Sequence, residues 1–265
     1  MKFVIDMKMQ LIDTHCHLYL DAFTGDIKSV IERASDEGVE QLLLPAIDST
    51  ELDNLLNLEQ QWPKKCFAMM GLHPCSVKES YQEELALVKD WITRRPFIAI
   101  GEIGLDYYWD KTFILEQQEA FHLQIEWALK YEKPIVIHSR NSVADCISIV
   151  KQHQRGKLHG IFHCFSDDIS SAEKIMDLGF YMGIGGVLTY KNSGLAEVVK
   201  NIPLEYIVLE TDAPYLTPVP FRGKRNESSY LKYIVAKLAE VKNITAEEVA
   251  AVTTANAQKI FNISI

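Results

Sequence analysis

The chain has 265 residues, 48% of them hydrophobic and 24% charged, a balance that suits a globular protein with a sizeable core and excludes a disordered or fibrous one. Its formal net charge of −9 excludes bulk attraction to nucleic acid or acidic membranes, so any anionic substrate must be drawn by local basic groups.

In chain order, the opening MKFVIDMKMQLIDTH is broken by charges and lacks the long apolar core and small-residue cleavage site of a secretory signal. Its last part, MQLIDTH (9–15), begins a series of short runs rich in β-branched or aromatic residues, as strands buried on both faces should be. The others are QLLLPAI (41–47), CFAMMGL (66–72), FIAIGEIGL (97–105), PIVIHS (134–139), GIFHCFS (160–166), FYMGIGG (180–186) and YIVLETD (206–212). Helical patterns lie between them. Ile27, Ile31 and Ala34 recur at helical spacing before Gly38, a C-terminal stop, and Phe121, Ile125 and Ala128 repeat the pattern. Ser170 with Glu173, and Thr245 with Glu248, have the spacing of capping boxes.

This alternation, without a linker or a break in composition, predicts one α/β domain over residues 1–265, a (β/α)8 TIM barrel. The alternative, an open doubly wound sheet, would carry a Gly-rich phosphate loop after its first strand, where this chain has DTHCH. No apolar run approaches the roughly 20 residues of a membrane span. The five scattered cysteines form no C-x-x-C and are expected to be free thiols in a reducing cytoplasm.

A barrel places its active site at the C-terminal ends of its strands. Those ends carry His15 and His17, His73, Glu102, His138, His163 and Asp212, whereas His122, His153 and His159 fall elsewhere. If the first strand continues, its alternation points His15 and His17 the same way and Cys16 the other. Cys16 and Cys164 are expected to pack between barrel and helices. Asp13 is expected to orient a ligand or serve structure, and Glu210 to orient a ligand or a metal-bound water or to pair with an interior cation.

Four histidines and two carboxylates exceed the three protein ligands of a mononuclear catalytic zinc site. Two divalent ions fit better: one on His15, His17 and Asp212, a second on His138 and His163, and Glu102 bridging. Imidazole-rich ligation suits zinc, manganese, iron or nickel better than magnesium or calcium. Such a pair can activate a shared hydroxide, and Asp212 can accept its proton.

The motifs DTHCH, GLHP, GEIGLDYY, IHSR, HCFS, GIGGVLTYKN and LETDAPYLTPVPFRGKRNE, in this order, span nearly the whole chain. In them the sequence resembles the TatD family of metal-dependent hydrolases, described as TatD-type deoxyribonucleases, among the amidohydrolase-like barrels. The resemblance implies the same two-metal ligand set and places His73 near a substrate phosphate. One departure, RNESS where the family has RNEP, is expected to loosen the loop after the last strand.

That loop holds Arg222, Lys224 and Arg225 against one acid, Glu227, and Arg140 follows His138 closely. These are candidate phosphate grips, since arginine offers a planar fork of donors; a solvated surface loop is the plainer reading. Tyr107, Tyr108 and Trp109 can stack on bases or pack under a loop. Three functions follow: a phosphodiesterase acting on DNA ends or short single strands; an amidohydrolase or esterase on the same site, including an aminoacyl-tRNA ester deacylase; or a barrel kept as a binding scaffold. The expected partner is nucleic acid as substrate, with no membrane and no obligate protein partner.

Overall fold

The computed structural model describes residues 9–265. Most of the opening stretch, residues 1–8, lies outside them. Each expected run overlaps a strand: β1 Leu11–Asp13, β2 Val39–Leu44, β3 Cys66–Ala68, β4 Ile100–Asp106, β5 Ile135–Arg140, β6 Gly160–Phe162, β7 Tyr181–Ile184 and β8 Ile207–Leu209. All pairings are parallel and follow chain order, β1 to β3 and β4 to β8.

Hydrogen bonds cross both remaining seams. Between β3 and β4, the Ile98 N–H donates to Ala68 O and the Gly101 N–H to Met70 O, both at 3.1 Å. Between β8 and β1, the Thr14 N–H and hydroxyl both donate to Leu209 O at 3.0 Å. The fold is the (β/α)8 TIM barrel.

Both faces of the strands are buried, which is why they read as continuous apolar runs. Ile12, Leu43, Met69, Ala99, Val136, Ile161, Tyr181 and Val208 fill the barrel interior. Their neighbours, such as Leu11, Leu42, Leu44, Ile135 and Ile137, face the helices.

The helices are α1 Ile27–Asp36, α2 Leu52–Gln61, α3 Tyr81–Arg94, α4 Ile114–Tyr131, α5 Val143–His153, α6 Ile169–Asp177, α7 Leu195–Asn201, α8 Leu231–Lys242 and α9 Ala246–Phe261. Ile31 and Ala34 of α1 and Phe121, Ile125 and Ala128 of α4 are buried, as their spacing predicts. Gly38 follows α1 at φ 83°, a left-handed conformation that costs glycine little. Helix α9 closes the bottom of the barrel with Ala257, Ile260 and Phe261.

Thr245 caps α9, its hydroxyl accepting the Glu248 N–H at 3.1 Å. The box expected at Ser170 is corrected. Asp168 caps α6 and accepts the Ser171 N–H at 2.8 Å, which leaves Ser170 inside the first turn. Among the described residues no helix is long and apolar enough to cross a membrane.

Candidate metal centre

Strand β1 ends at Asp13, so the pleat does not aim His15 and His17. Continued alternation would have sent them to the side of Leu11, towards the helices. Instead the chain leaves the ladder, and its backbone is tied across the barrel mouth. The Cys16 N–H donates to Leu43 O at 3.1 Å, the His17 N–H to Ala213 O at 2.7 Å and the Asp212 N–H to His15 O at 2.9 Å. Asp13 secures this junction: one carboxylate oxygen accepts the Thr211 N–H at 2.9 Å and the other its hydroxyl at 2.6 Å. Burial pushes the Asp13 carboxyl up to about 6, against the lowering effect of these bonds.

Glu102, on β4 and 2% exposed, stands at the centre. Its Oε2 lies 3.1 Å from His15 Nε2 and 3.7 Å from His17 Nε2. Its Oε1 lies 2.8 Å from His138 Nδ1, 3.4 Å from His73 Nε2 and 3.8 Å from His163 Nε2. One carboxylate thus turns one oxygen to each group of histidines. Burial would raise the Glu102 carboxyl, but His73, His15, His163 and His138 together hold it well below the usual carboxylate range. Asp212 Oδ1 lies 3.6 Å from His17 Nε2, 3.8 Å from His15 Nε2 and 3.9 Å from His163 Nε2.

The far sides of the rings decide which nitrogens face inward. The Tyr19 hydroxyl donates to Pro45 O at 2.6 Å, so its oxygen accepts from His17 Nδ1 at 2.9 Å. That leaves His17 Nε2 free to ligate. His138 Nε2 lies 2.8 Å from Asp106 Oδ2, and its Nδ1 faces Glu102. His163 Nδ1 lies 2.9 Å from Glu210 Oε1, and its Nε2 faces inward. Burial pulls the His163 imidazole down, but the Glu210, Glu102 and Asp212 carboxylates outweigh it and push it up to about 10. His73 is different. The Cys75 N–H donates to its Nδ1 at 3.0 Å, so Nε2 carries the proton and the ring offers the centre a donor, not a lone pair.

The donor set fits divalent ions. His15 and His17 face each other through Nε2 atoms only 3.2 Å apart. Ligands about 2.0–2.1 Å from a tetrahedral ion stand roughly 3.4 Å apart. Potential ligand atoms also converge in the sets His15–His17–Asp212, His15–Glu102–His163 and His73–Glu102–His138; among the described residues no such set joins His138 to His163, which meet only through Glu102. Each of His138 and His163 is backed by a carboxylate on its far side, the arrangement that commonly orients metal-binding imidazoles.

Several supporting residues escaped the sequence reading. Asp106 shares the strand alternation of Glu102, so a signal existed for it; Tyr19 lies in a turn beyond β1 and gave none. Asn226 gave none. Its side chain donates to Thr211 O at 2.7 Å and Tyr215 O at 2.6 Å, fixing the backbone on either side of Asp212. Gly183 gave none either: a Cβ there would lie 2.1 Å from Glu210 Oε2, so only glycine leaves room for that carboxylate. Glu210 itself accepts the Cys164 N–H at 2.7 Å, and the same Oε1 lies 2.9 Å from His163 Nδ1.

Three expectations change. Cys16 is buried away from the centre, as foreseen, but Cys164 is not between barrel and helices; its sulfur converges with His163 and Glu210. Arg225 is already bound. Its guanidinium donates to both Asp26 oxygens at 2.7 Å and to Ala22 O at 2.6 Å. It braces the last loop to the start of α1, helped by Arg33, which grips Glu227 at 2.8 and 2.6 Å. The loop is not loosened at RNESS: Ser228 and Ser229 are buried, and the Ser229 hydroxyl donates to Glu227. Tyr107 packs, its hydroxyl held by Asp145 and Gln118 at 2.9 Å, while Tyr108 and Trp109 stay exposed.

Arg225→Ala is therefore expected to lower stability by about 1–2 kcal/mol, the range for hydrogen bonds to charged groups at a partly exposed site. Thermal unfolding would register the loss, and the Michaelis constant of any substrate should stay unchanged. Arg140 and Arg222 differ. Arg140 lies 3.8 Å above the Tyr108 ring and 5.3 Å from Trp109, and Arg222 lies 4.0 Å above Tyr190. Neither has a carboxylate partner among the described residues.

A family model described as TatD related DNase matches residues 12–262. The chain belongs to the TatD family. It is 40% identical over 255 residues to YabD of Bacillus subtilis, named an uncharacterized metal-dependent hydrolase, covering 96% of this chain and 100% of the relative. It is 32% identical over 259 residues to YcfH of Escherichia coli, named in the same way, covering 96% and 97%. Among solved structures, the TatD homolog YjjV of Escherichia coli superposes with a TM-score of 0.92 at 31% identity, covering 97% of this chain and 100% of that one. A TatD family hydrolase from Entamoeba histolytica, at 24% identity and a TM-score of 0.81, shares the fold.

Proposed function

We propose that this TatD-family chain is a divalent-metal-dependent hydrolase that cleaves phosphodiester bonds in DNA, at ends or in short single strands. The observation that carries the phosphate reading is the state of the arginines. In a chain of net charge −9, Arg140 and Arg222 lie 3.8 and 4.0 Å from the centres of tyrosine rings and pair with no carboxylate among the described residues. A guanidinium is a planar fork of donors, and one placed against a ring with no carboxylate partner is available to a phosphate's oxygens. The family's description as DNases and the relatives' names as metal-dependent hydrolases support the same chemistry.

His15, His17 and Asp212 would hold one ion and His138 and His163 a second, with Glu102 between them; the imidazoles favour zinc, manganese, iron or nickel over magnesium. When bound, such ions supply Lewis acidity, lowering the pKa of water and offsetting charge on a phosphate oxygen. The chain's own groups do the rest. Asp212, 14% exposed, is less enclosed than His15, His17, Glu102 and His163, and it can take a proton from the attacking water. His73 offers its Nε2 proton to a substrate oxygen. Arg140 and Arg222 hold flanking phosphates, and the exposed faces of Tyr108 and Trp109 can take a base at about 1–3 kcal/mol each.

Metal-reconstituted protein should be screened against an oligonucleotide, an aminoacyl ester and a simple amide. Cleavage of the oligonucleotide supports the proposal; turnover of only the ester or amide replaces it with the deacylase or amidohydrolase reading.

If the two arginines hold phosphate, Arg140→Ala and Arg222→Ala should each raise the oligonucleotide Michaelis constant roughly tenfold, with turnover changing less, because the contact exists in ground and transition states alike. The double variant should also show a shallower salt dependence, since fewer phosphate contacts release fewer counterions. Unchanged Michaelis constants at every salt concentration would leave the arginines without this role.

A further inference from the structure

The two carboxylate oxygens of Asp106 do different things. Oδ1 accepts the backbone N–H groups of Tyr108 and Trp109, both at 2.9 Å. Oδ2 faces His138 Nε2 at 2.8 Å. The side chain is 1% exposed, so neither oxygen has water as a substitute partner. The two backbone donors fix which oxygen is which, and that oxygen must remain an acceptor. The other faces the imidazole as an acceptor, and Glu102 Oε1 lies at the same 2.8 Å from Nδ1, so both ring nitrogens face a carboxylate. For Nδ1 to offer an ion its lone pair, the single ring proton must stay on Nε2, and Asp106 is the acceptor that holds it there.

We propose that Asp106 is a positioning residue that sets the tautomer of His138 for ion binding, and that this acts on the His138–His163 position without acting on the His15–His17–Asp212 position. The inference rests on the metal-dependent reading of the site. Independence follows from the geometry on the other side. His17 takes its tautomer from Tyr19, which is itself oriented by Pro45 O, and neither Tyr19 nor Pro45 shares a hydrogen bond with Asp106.

The consequence is an unusual order of severity. Asp106→Asn is the closest match in shape. Its amide oxygen must stay where Tyr108 and Trp109 donate, which turns its NH2 group onto His138 Nε2. A donor there forces the imidazole proton onto Nδ1, where it blocks the ion. Carboxylate-to-amide replacement beside an imidazole is known to act through the wrong tautomer in this way. Asp106→Ala only removes the orienting partner and leaves His138 free to take either tautomer. A purely structural role would make asparagine the milder change; the tautomer role makes it the worse one.

The experiment is zinc binding by calorimetry on metal-free full-length protein, with bound zinc counted by elemental analysis and folding checked by thermal unfolding. The parent is expected to take two ions. Asp106→Asn is expected to weaken one of them at least tenfold, the lower end for loss of an outer partner of a metal-binding histidine, and to weaken it more than Asp106→Ala does. Tyr19→Phe, in the same assay, is expected to weaken the other ion, so that Tyr19→Phe with Asp106→Asn loses both. An asparagine variant that binds as the parent does, or better than the alanine variant, overturns the proposal while leaving the metal reading in place. A parent that takes up no zinc overturns both.

Discussion

Replacing Glu102 with alanine is expected to empty the whole centre, where replacing any one histidine should not. The reason is the division of its carboxylate. Oε2 serves His15 and His17, Oε1 serves His138, His73 and His163, and all these approaches lie between 2.8 and 3.8 Å. Removing the group leaves several buried imidazoles crowded together without their common counter-charge. Bound metal should fall below one ion per chain at zinc levels that saturate the parent. Turnover should drop by roughly 10³-fold or more, because the electrostatic stabilisation the ions provide goes with them. His138→Ala is the control, expected to keep the ion on His15, His17 and Asp212. Glu102→Gln guards against simple misfolding, since it keeps the volume and one oxygen but not the charge. Elemental analysis decides the matter: an alanine variant that binds two ions as the parent does would remove Glu102 from the bridging position.

The barrel was legible because its strands are buried twice, once by the interior and once by the helices, so each had to be a continuous apolar run. The positions of His138, His163 and Asp212 were legible for a related reason. Polar residues at the end of such a run have no place in either core, and the barrel mouth is where they go. His15 and His17 were foreseen at the mouth on an argument that the structure replaces. Strand alternation does not aim them; backbone bonds from residues 14, 16 and 17 to β8, β2 and the loop beyond β8 do. Contacts between residues far apart in sequence leave no local pattern to read. Asn226 holding the carbonyls of Thr211 and Tyr215, and Gly183 yielding space to Glu210, are of this kind. The basic loop was misread in part for the same reason. The loop holds three cations, and nothing local shows that Asp26, some 200 positions away, claims Arg225 and leaves Arg222 free.

Asp212→Asn is expected to cost turnover at least 100-fold, the lower end of what general acid–base catalysis contributes. The variant isolates the carboxylate unusually well. Asp212 has φ 56°, a left-handed backbone conformation, and asparagine is among the few residues that adopt it readily, so the chain path should survive. Its N–H still reaches His15 O, since that bond belongs to the backbone. The amide keeps an oxygen that can ligate an ion, so metal content should fall far less than in Glu102→Ala. What disappears is the ability to take a proton from water and return it to the leaving group. Burial alone would raise the Asp212 carboxyl, but His17, His163 and His15 beside it hold it below its ordinary value. It is therefore ionised, and ready to accept, at neutral pH. Because the loss is confined to the transition state, kcat and kcat/KM should fall together while the Michaelis constant moves little. A variant that keeps metal and turns over at nearly the parent rate would show that Asp212 is a ligand only, and that the proton leaves by another route.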